Sequence, residues 1–380
     1  MKVAVTVLMF CVAALLALGM VMLYSSSIES LDRHQVAIGA HYLMMQLIWC
    51  ALGLAMGGMA AFVDCRLLKK SAWPLLAFTL LLLALVVVPH IGKRINGASR
   101  WFSFHGISFQ PSEFAKIGLI IALASYGEHF QRQMRTWKRG VLYPGLIIGL
   151  TLGLIFIEPD VGNALLLAAV SCVMLLAAGI RLKYFLPPVI VGVMAVSAFI
   201  YKNPMRSERV YSWMHLEETR RDKGLQVYQA EIALGSGGWT GLGLGNGRQK
   251  LGWVPEHHTD FILAIIGEEL GLIATLLIIA AFVAIIACGI YIARHARDTF
   301  STLLATGITF LIGLQSMINI AVVTNTFPNK GLPLPFISYG GSNLLAMLTC
   351  VGLLLCVARN GRVAEGSSTE ALGLAEPQTA

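Results

Sequence analysis

The sequence predicts an all-α, multi-pass integral membrane protein with about ten transmembrane helices and one long extracytoplasmic loop. Of its 380 residues, 57% are hydrophobic and 13% are charged, whereas soluble domains carry roughly 25% charged residues. The mean hydropathy is +0.73. So little charge excludes a soluble protein, and the basic residues are scattered without forming a basic face, which argues against nucleic-acid binding.

Apolar runs that reach or approach the roughly 20 residues needed to cross a bilayer occur along the whole chain. The first follows directly after Lys2 and exceeds the roughly 7–15-residue apolar core of a signal peptide, so we interpret it as a retained anchor. The ten predicted segments are 3–24, 41–63, 71–89, 111–126, 141–157, 161–178, 184–201, 260–293, 300–324 and 340–358.

The predicted segments make up one transmembrane domain over residues 1–358, with the large extracytoplasmic loop at 202–259. With the N-terminus inside, the inner segments hold 14 lysines and arginines and the short outer loops hold five. Basic residues concentrate on the cytoplasmic side of membrane proteins, so both termini are predicted to be cytoplasmic. The small, polar residues of 359–380 predict a disordered cytoplasmic tail.

Charged residues within membrane segments mark candidate sites, because their burial is costly. Glu113 and Lys116 are three residues apart and share one face of a helix. They either neutralise each other as a buried pair that locks helices together, or form a polar wall of a cavity. Asp160, in a short outer turn, either caps the next helix or contacts a substrate.

The long outer loop contains a glycine run at Gly235–Gly247. It has neither the spacing of a dinucleotide-binding loop nor a Walker lysine. The run is either a flexible hairpin or a segment whose backbone approaches a ligand closely. Arg248 and Lys250 follow it directly and are candidates to bind phosphate oxygens.

Asp260 stands where this loop enters the eighth segment. It is either part of an N-cap or a general base at the membrane surface. Adjacent His257 and His258 rarely point at one ion, which argues against a zinc site, and the seven cysteines lack CxxC spacing. No cofactor is firmly implied, although Mg²⁺ or Mn²⁺ bridged through substrate phosphates is compatible with this loop.

The last outer loop, 325–342, contains three prolines and a Gly-Gly pair. Irregular backbone at membrane depth persists only where it is buried in protein or lines a wet cavity. The loop therefore contributes Lys330, Ser338, Tyr339 and Ser342 to a predicted cavity. These residues alone support a basic, polar-lined outer cavity suited to an anionic amphiphile, but they do not name a reaction.

Five stretches together resemble the SEDS family of shape, elongation, division and sporulation proteins: Gln110–Lys116, Glu158–Gly162, Pro255–Ile262, Gly267–Gly271 and Phe327–Ser342. Three more resemble the cell-division members more than the elongation members, namely Val21–Ser27, Gly245–Lys250 and Lys330–Gly331. The chain departs from the family pattern at Asn163, where threonine is usual, and at Asn343, where a second serine is usual.

The resemblance implies a peptidoglycan glycosyltransferase that polymerises lipid II in the bacterial inner membrane, at the division septum. It also implies a class B penicillin-binding transpeptidase and other division proteins as partners, with membrane lipids around the chain. Asp260 is the implied catalytic base. The candidate substrate-binding residues are Glu113, Lys116, Asp160, Arg248, Lys250, Lys330, Ser338 and Ser342.

Three other functions stay open from the sequence. A lipid II flippase needs a charged cavity and many helices but no catalytic base, and Glu113 with Lys116 suits it equally well. A scaffold that only recruits the transpeptidase needs neither. An elongation-type polymerase shares the same chemistry and differs only in where it acts.

Overall fold

The fold is predominantly helical, and the computed structural model describes residues 1–26, 33–89, 92–95, 98–104, 107–250 and 258–371. The described helices are α1 Lys2–Ser26, α2 Arg33–Phe62, α3 Cys65–Lys70, α4 Ala72–Val87, α5 Pro111–His129, α6 Tyr143–Ile157, α7 Val161–Ala177, α8 Leu182–Lys202, α9 Pro204–Met214, α10 Leu216–Thr219, α11 Leu225–Ser236, α12 Ile262–Arg294, α13 Thr299–Val323 and α14 Gly341–Ala371. A 3₁₀ turn lies at Gln131–Gln133 and a π-helical turn at Lys138–Leu142.

Each of the ten apolar segments corresponds to one of these helices. Among the described residues, seven helical stretches are long and apolar enough to cross a membrane, and α4 and α7 are shorter apolar helices. The tenth, α5, carries Glu113 and Lys116 in its first two turns, which lowers its hydropathy. A multi-pass membrane fold is therefore confirmed, and the number of crossings stays a prediction.

The loops contain more regular structure than the sequence predicts. Between α4 and α5 lies an antiparallel sheet of three strands in the order β1 Lys93–Ile95, β2 Ala98–Phe104 and β3 Ile107–Phe109. The helical fold class holds, and this short sheet is a local exception, where Trp101, Phe102 and Phe104 supply the aromatic residues that favour strands. The long loop 202–259 likewise contains α9, α10 and α11.

The helices form an inner and an outer set. Nearly every residue of α5 is buried, and it packs against α4, α7 and α13, while α14 packs along α2. By contrast, no residue of α8 is buried. A helix that is apolar all round is suited to contact with lipid on its free faces, so α8 lies at the periphery and α5 at the centre.

The last helix extends beyond the tenth predicted segment, and the disorder expected for 359–380 stays a prediction. The backbone of α14 continues as helix to Ala371, and residues 372–380 lie outside the described residues. The stretch from 359 to 371 contains no proline that would end the helix.

Candidate functional site

Asp260 lies at the outer end of the helices, immediately before α12. The N-cap position of α12 is Phe261, so the alternative that Asp260 occupies it is wrong. The Asn319 side chain in α13 donates from Nδ2 to the carbonyl oxygens of Asp260 and Leu332, at 2.8 Å each. A Cβ built on Gly331 would lie 2.6 Å from Oδ2 of Asp260. The half-buried carboxylate therefore packs directly against the loop that carries Lys330.

Two cations that influence each other, Lys330 of that loop and Arg206 of α9, form no ion pair within the described ranges of the chain. Lys330 is half-buried and its ammonium lies 5.9 Å from the Phe327 ring centre. Burial, reinforced by the positive charge of Arg206, lowers the pKa of Lys330. Arg206, in α9, stacks its guanidinium 4.3 Å from the Phe199 ring centre, and its Nη1 is buried without a partner among the described residues.

Arg206 is a functional candidate that the sequence analysis missed. Burial, together with the charges of Arg100 and Arg209, lowers its pKa. Helix α9 is fixed to the last outer loop because the Trp213 indole donates to the Asn325 carbonyl oxygen at 2.9 Å. The sequence carries only a weak signal for Arg206, since the long loop 202–259 was predicted without internal helices.

Arg100 approaches the same region from strand β2. Its Nε donates to the carbonyl oxygen of Glu158 at 2.8 Å and its Nη2 to that of Pro159 at 2.7 Å, so it clamps the turn between α6 and α7. This turn also borders the last outer loop, since a Cβ on Gly162 would lie 3.5 Å from Leu332. The sheet thus brings an arginine to the turn that borders the last outer loop.

Glu158 is buried in that turn, and neither carboxylate oxygen has a hydrogen-bond partner in the part of the chain that the structure describes. Burial, reinforced by the negative charge of Asp160 and opposed by Arg100, raises the pKa of Glu158 to about 8. The carboxyl is therefore mostly protonated at neutral pH.

The two predicted serines are structural in this fold. Ser338 is 2% exposed and its Oγ accepts from the Leu334 amide at 2.8 Å. Ser342 is 1% exposed and its Oγ accepts from the Gln110 amide at 3.0 Å. Both hydroxyls hold the last outer loop and the start of α5 in shape, and neither lies on an open surface.

Glu113 and Lys116 form a buried pair at the centre of the helices. The Lys116 ammonium lies 2.8 Å from Oε2 of Glu113, and their side chains are 0% and 3% exposed. It also donates to Oδ1 of Asn163 and Oε1 of Gln315, at 3.3 Å each. Three helices, α5, α7 and α13, are thereby joined through one cation.

Asp160 belongs to the same network. Its carboxylate caps α7 by accepting from the Asn163 amide at 3.3 Å, and it also accepts from Nε2 of Gln110 at 3.0 Å. The capping alternative is therefore confirmed. Asn163 donates from Nδ2 to Asp160 at 2.9 Å and to Glu113 at 3.4 Å, and Gln315 donates to Asn343 at 2.9 Å. The two departures from the family pattern thus both lie in this network.

The glycine run docks on a break in α12. At Gly271 the backbone has φ 77° and ψ −174°, which interrupts the helical hydrogen bonds. The amides of Leu242 and Gly243 donate to the carbonyl oxygens of Glu268 and Glu269, at 3.0 Å each, and the amides of Leu272 and Ile273 donate to those of Gly238 and Trp239. The glycine run therefore supplies the partners that the broken helix lacks, as membrane depth demands.

Close contact with the helix explains the glycines. Gly241 has φ +83°, and a Cβ there would lie 2.1 Å from the Glu269 carbonyl oxygen. A larger residue would be strained and would separate the two backbones. The glycine run thus approaches α12 closely, and its approach to a ligand stays a prediction.

Lys250 is occupied by Glu269. Its ammonium lies 2.7 Å from Oε1 of Glu269 and also donates to the carbonyl oxygens of Gly245 and Ser25, at 2.9 and 3.1 Å. The pair is 4% and 0% exposed. Since an ammonium has three donors, the contacts here assign Lys250 to holding the loop. Arg248 differs, because its side chain is exposed and, among the described residues, its amide alone forms a hydrogen bond, to Oε1 of Glu268 at 2.8 Å.

The described residues contain no group of three or more His, Cys, Asp or Glu side chains arranged to hold a metal. His258 lies beside the aromatic rings of Tyr42 and Tyr339, at centroid distances of 5.1 and 6.0 Å. His257, the other histidine of the predicted pair, lies outside the described residues, so the question of Mg²⁺ or Mn²⁺ stays with the prediction.

Comparison with known proteins gives a consistent result. The model of the cell cycle protein family FtsW/RodA/SpoVE matches residues 6–363. A probable peptidoglycan glycosyltransferase FtsW of Trichlorobacter lovleyi is 41% identical, covering 94% of each chain. Its counterpart in Coxiella burnetii is 38% identical over 92% of this chain and 95% of its own.

Solved structures share the architecture. One chain comes from a study of how a peptidoglycan synthase complex coordinates polymerization and crosslinking. It matches with a TM-score of 0.77 and 29% identity, covering 93% of this chain and 97% of its own. The rod shape determining protein RodA of Thermus thermophilus matches with a TM-score of 0.69 and 30% identity, covering 93% and 96%.

Proposed function

Because this chain belongs to the FtsW/RodA/SpoVE family of cell cycle proteins, we propose that it is a peptidoglycan glycosyltransferase that polymerises lipid II during septal wall synthesis. The single observation that carries the chemistry is the position of Asp260, whose carboxylate packs against Gly331 beside Lys330. An acid packed against a loop whose lysine forms no ion pair among the described residues suits proton abstraction next to a departing phosphate.

The reaction joins two lipid-linked disaccharides. Asp260 takes the proton from the acceptor sugar's 4-hydroxyl as that oxygen attacks the anomeric carbon of the donor. The bond from the anomeric carbon to the pyrophosphate oxygen breaks, configuration inverts, and undecaprenyl pyrophosphate leaves with the electron pair. Lys330, Arg206 and the exposed Arg248 stabilise the negative charge that develops on it.

The assignment of the other predicted residues follows from their contacts. Lys250 is fully engaged with Glu269 and two carbonyl oxygens, and Ser338 and Ser342 are buried in the last outer loop. These residues, with Glu113, Lys116 and Asp160, support the walls of the site. Arg206 takes the place among the phosphate ligands that was predicted for Lys250.

Two observations favour this function over its rivals. A flippase would use Glu113 and Lys116 in its path, but both are buried and bonded to neighbouring helices. A division rather than an elongation role is supported by the relatives named FtsW, at 38–41% identity, against 30% for the RodA structure.

The uneven distribution of basic residues supports cytoplasmic termini.

A transpeptidase partner is part of the proposal. The structural neighbour from the peptidoglycan synthase complex, which coordinates polymerization and crosslinking, matches this chain over 97% of its own length. A glycan strand leaving the outer end of the helices needs a crosslinking enzyme beside it, and a class B penicillin-binding transpeptidase supplies that activity. Other division proteins would position the pair at the septum.

The test is chain formation from lipid II by the full-length protein in complex with its transpeptidase. Asp260→Asn keeps the size of the side chain but cannot accept the proton, so turnover is expected to fall by about 10²–10⁴-fold. Asp222→Asn, an exposed carboxylate in the same outer segment, is the matched control. Near-normal glycan chains from the Asp260 variant would remove the catalytic assignment.

A further inference from the structure

A second cavity lies at the end of the helices opposite Asp260. It has a volume of about 1200 Å³ and is bordered by α3, the start of α4, the end of α5, the start of α13 and the second half of α14. None of its lining residues belongs to the candidate site described above. Its basic residues are Arg66, Lys69, Lys70, Arg297 and Arg359.

Two carboxylates line this cavity against five lysines and arginines, and among the described residues neither forms an ion pair with them. Asp64 accepts from the Arg66 amide at 2.9 Å as the cap of α3, and Asp298 accepts from the Ser301 amide at 3.2 Å as the cap of α13. Lys69 is paired with Glu128 at 2.5 Å. Over the described ranges, the side chains of Arg66, Lys70 and Arg297 are exposed and form no ion pair.

The cavity continues into an apolar surface. Trp73 lines it and is 45% exposed, and farther along the same helix Ala77 and Leu81 are exposed, Leu81 to 56%. These residues form one stripe of α4 that leads from the cations into the membrane interior. A soluble anion would use the cations alone, whereas a lipid would use both surfaces.

From this juxtaposition we propose that the cavity binds one anionic phospholipid, with its phosphate among Arg66, Lys70 and Arg297 and an acyl chain along α4. Basic pockets between helices on the cytoplasmic side bind acidic headgroups in this manner. A bound phosphate joins the connecting helix α3 to the loop before α13, two elements that are far apart in sequence. That the occupied leaflet is the inner one rests on the proposed orientation.

The experiment titrates the purified full-length protein with phosphatidylglycerol and counts bound lipids by native mass spectrometry. Arg66→Gln/Lys70→Gln/Arg297→Gln is compared with Arg132→Gln/Arg135→Gln/Arg181→Gln, three exposed arginines at the same end but outside the cavity. The cavity variant is expected to bind the first phosphatidylglycerol at least tenfold more weakly, while the control matches wild type. Equal losses in both variants would mean a diffuse charge effect and would overturn the site.

Two further arms separate the ligand sources and guard against misfolding. Inorganic phosphate that displaces phosphatidylglycerol at similar concentrations would overturn the lipid in favour of a soluble anion. Phosphatidylglycerol brominated on its acyl chains should quench Trp73, seen as a difference between wild type and Trp73→Phe. Brominated phosphatidylcholine should quench it much less. Equal quenching by both lipids contradicts the proposal, and no readout depends on polymerase activity.

Discussion

Lys250 and Lys330 have opposite surroundings, although both occupy outer loops and both were predicted to bind phosphate. The Lys250 ammonium is buried, lies 2.7 Å from Glu269, and also donates hydrogen bonds to carbonyl oxygens. Lys330 is half-buried, has a lowered pKa and stands near a second cation, Arg206. The charge of Lys250 is therefore neutralised within the protein, whereas Lys330 and Arg206 are stabilised when an anion binds.

The difference follows from what it costs to bury charge. A buried cation persists only when an acid and hydrogen bonds compensate it. Lys116 and Lys250 both meet that condition, with Glu113 and Glu269. Lys330 and Arg206 have no such acid within the described part of the chain. Their substitution should therefore affect substrate turnover more than folding.

The largest effect is expected from breaking a compensated pair. Lys250→Met leaves the Glu269 carboxylate buried without its cation, and should lower the free energy of unfolding by about 3–5 kcal/mol. Thermal unfolding in detergent, followed by helical circular dichroism, measures this loss. Adding Glu269→Gln should restore part of it, because the uncompensated charge is removed. A single variant as stable as wild type would contradict the structural assignment of Lys250.

Next in size is the effect of removing an uncompensated cation. Lys330→Ala and Arg206→Gln should each lower lipid II polymerisation by about 10²-fold, the typical value of one preorganised charge in an active site. Protein yield and unfolding temperature should change little. Arg209→Gln, one turn along α9 and exposed, serves as the control. Full turnover by the Arg206 variant would separate α9 from the site.

Per pH unit, the smallest effect concerns Glu158, which extends the comparison to a buried acid. The folded pKa of Glu158 is about 8, above its ordinary value of 4.5, so between these values the unfolded state releases a proton that the folded state keeps. Stability should therefore fall as pH rises through this window, by at most about 1.4 kcal/mol per unit, and level off above it. Unfolding temperatures from pH 5 to 9 test this, and Glu158→Gln should flatten the profile. If the Glu158→Gln variant kept the wild-type slope of unfolding temperature against pH, that slope would belong to other groups.

The sequence predicted the fold well where the signal was local. All ten apolar segments became helices, because an uninterrupted run of apolar residues satisfies its backbone within the segment. The sheet at 93–109 and helix α9 were missed, since short elements in a polar loop depend on what they pack against. The position of Asp260 beside a basic loop was predicted from motif order alone.

The roles of individual cations could not be predicted in the same way. Lys250 follows the glycine run just as a phosphate ligand would, and nothing local indicates that Glu269, 19 residues later, accepts its charge. Arg206 and Lys330 are separated by 124 positions in the sequence. Whether a charge is compensated depends on tertiary contacts, which spacing along one helix does not reveal.

The glycine run that supplies hydrogen-bond partners at the break in α12 also bears on how the chain enters the membrane. The described partners of the Glu268 and Glu269 carboxylates, which include Ser25, Gly245, Arg248 and Lys250, all precede them in sequence. Because synthesis runs from the N-terminus, these partners already exist when α12 leaves the ribosome. The two acids thus meet their hydrogen-bond donors on arrival, and the order of the chain itself lowers the cost of inserting this helix.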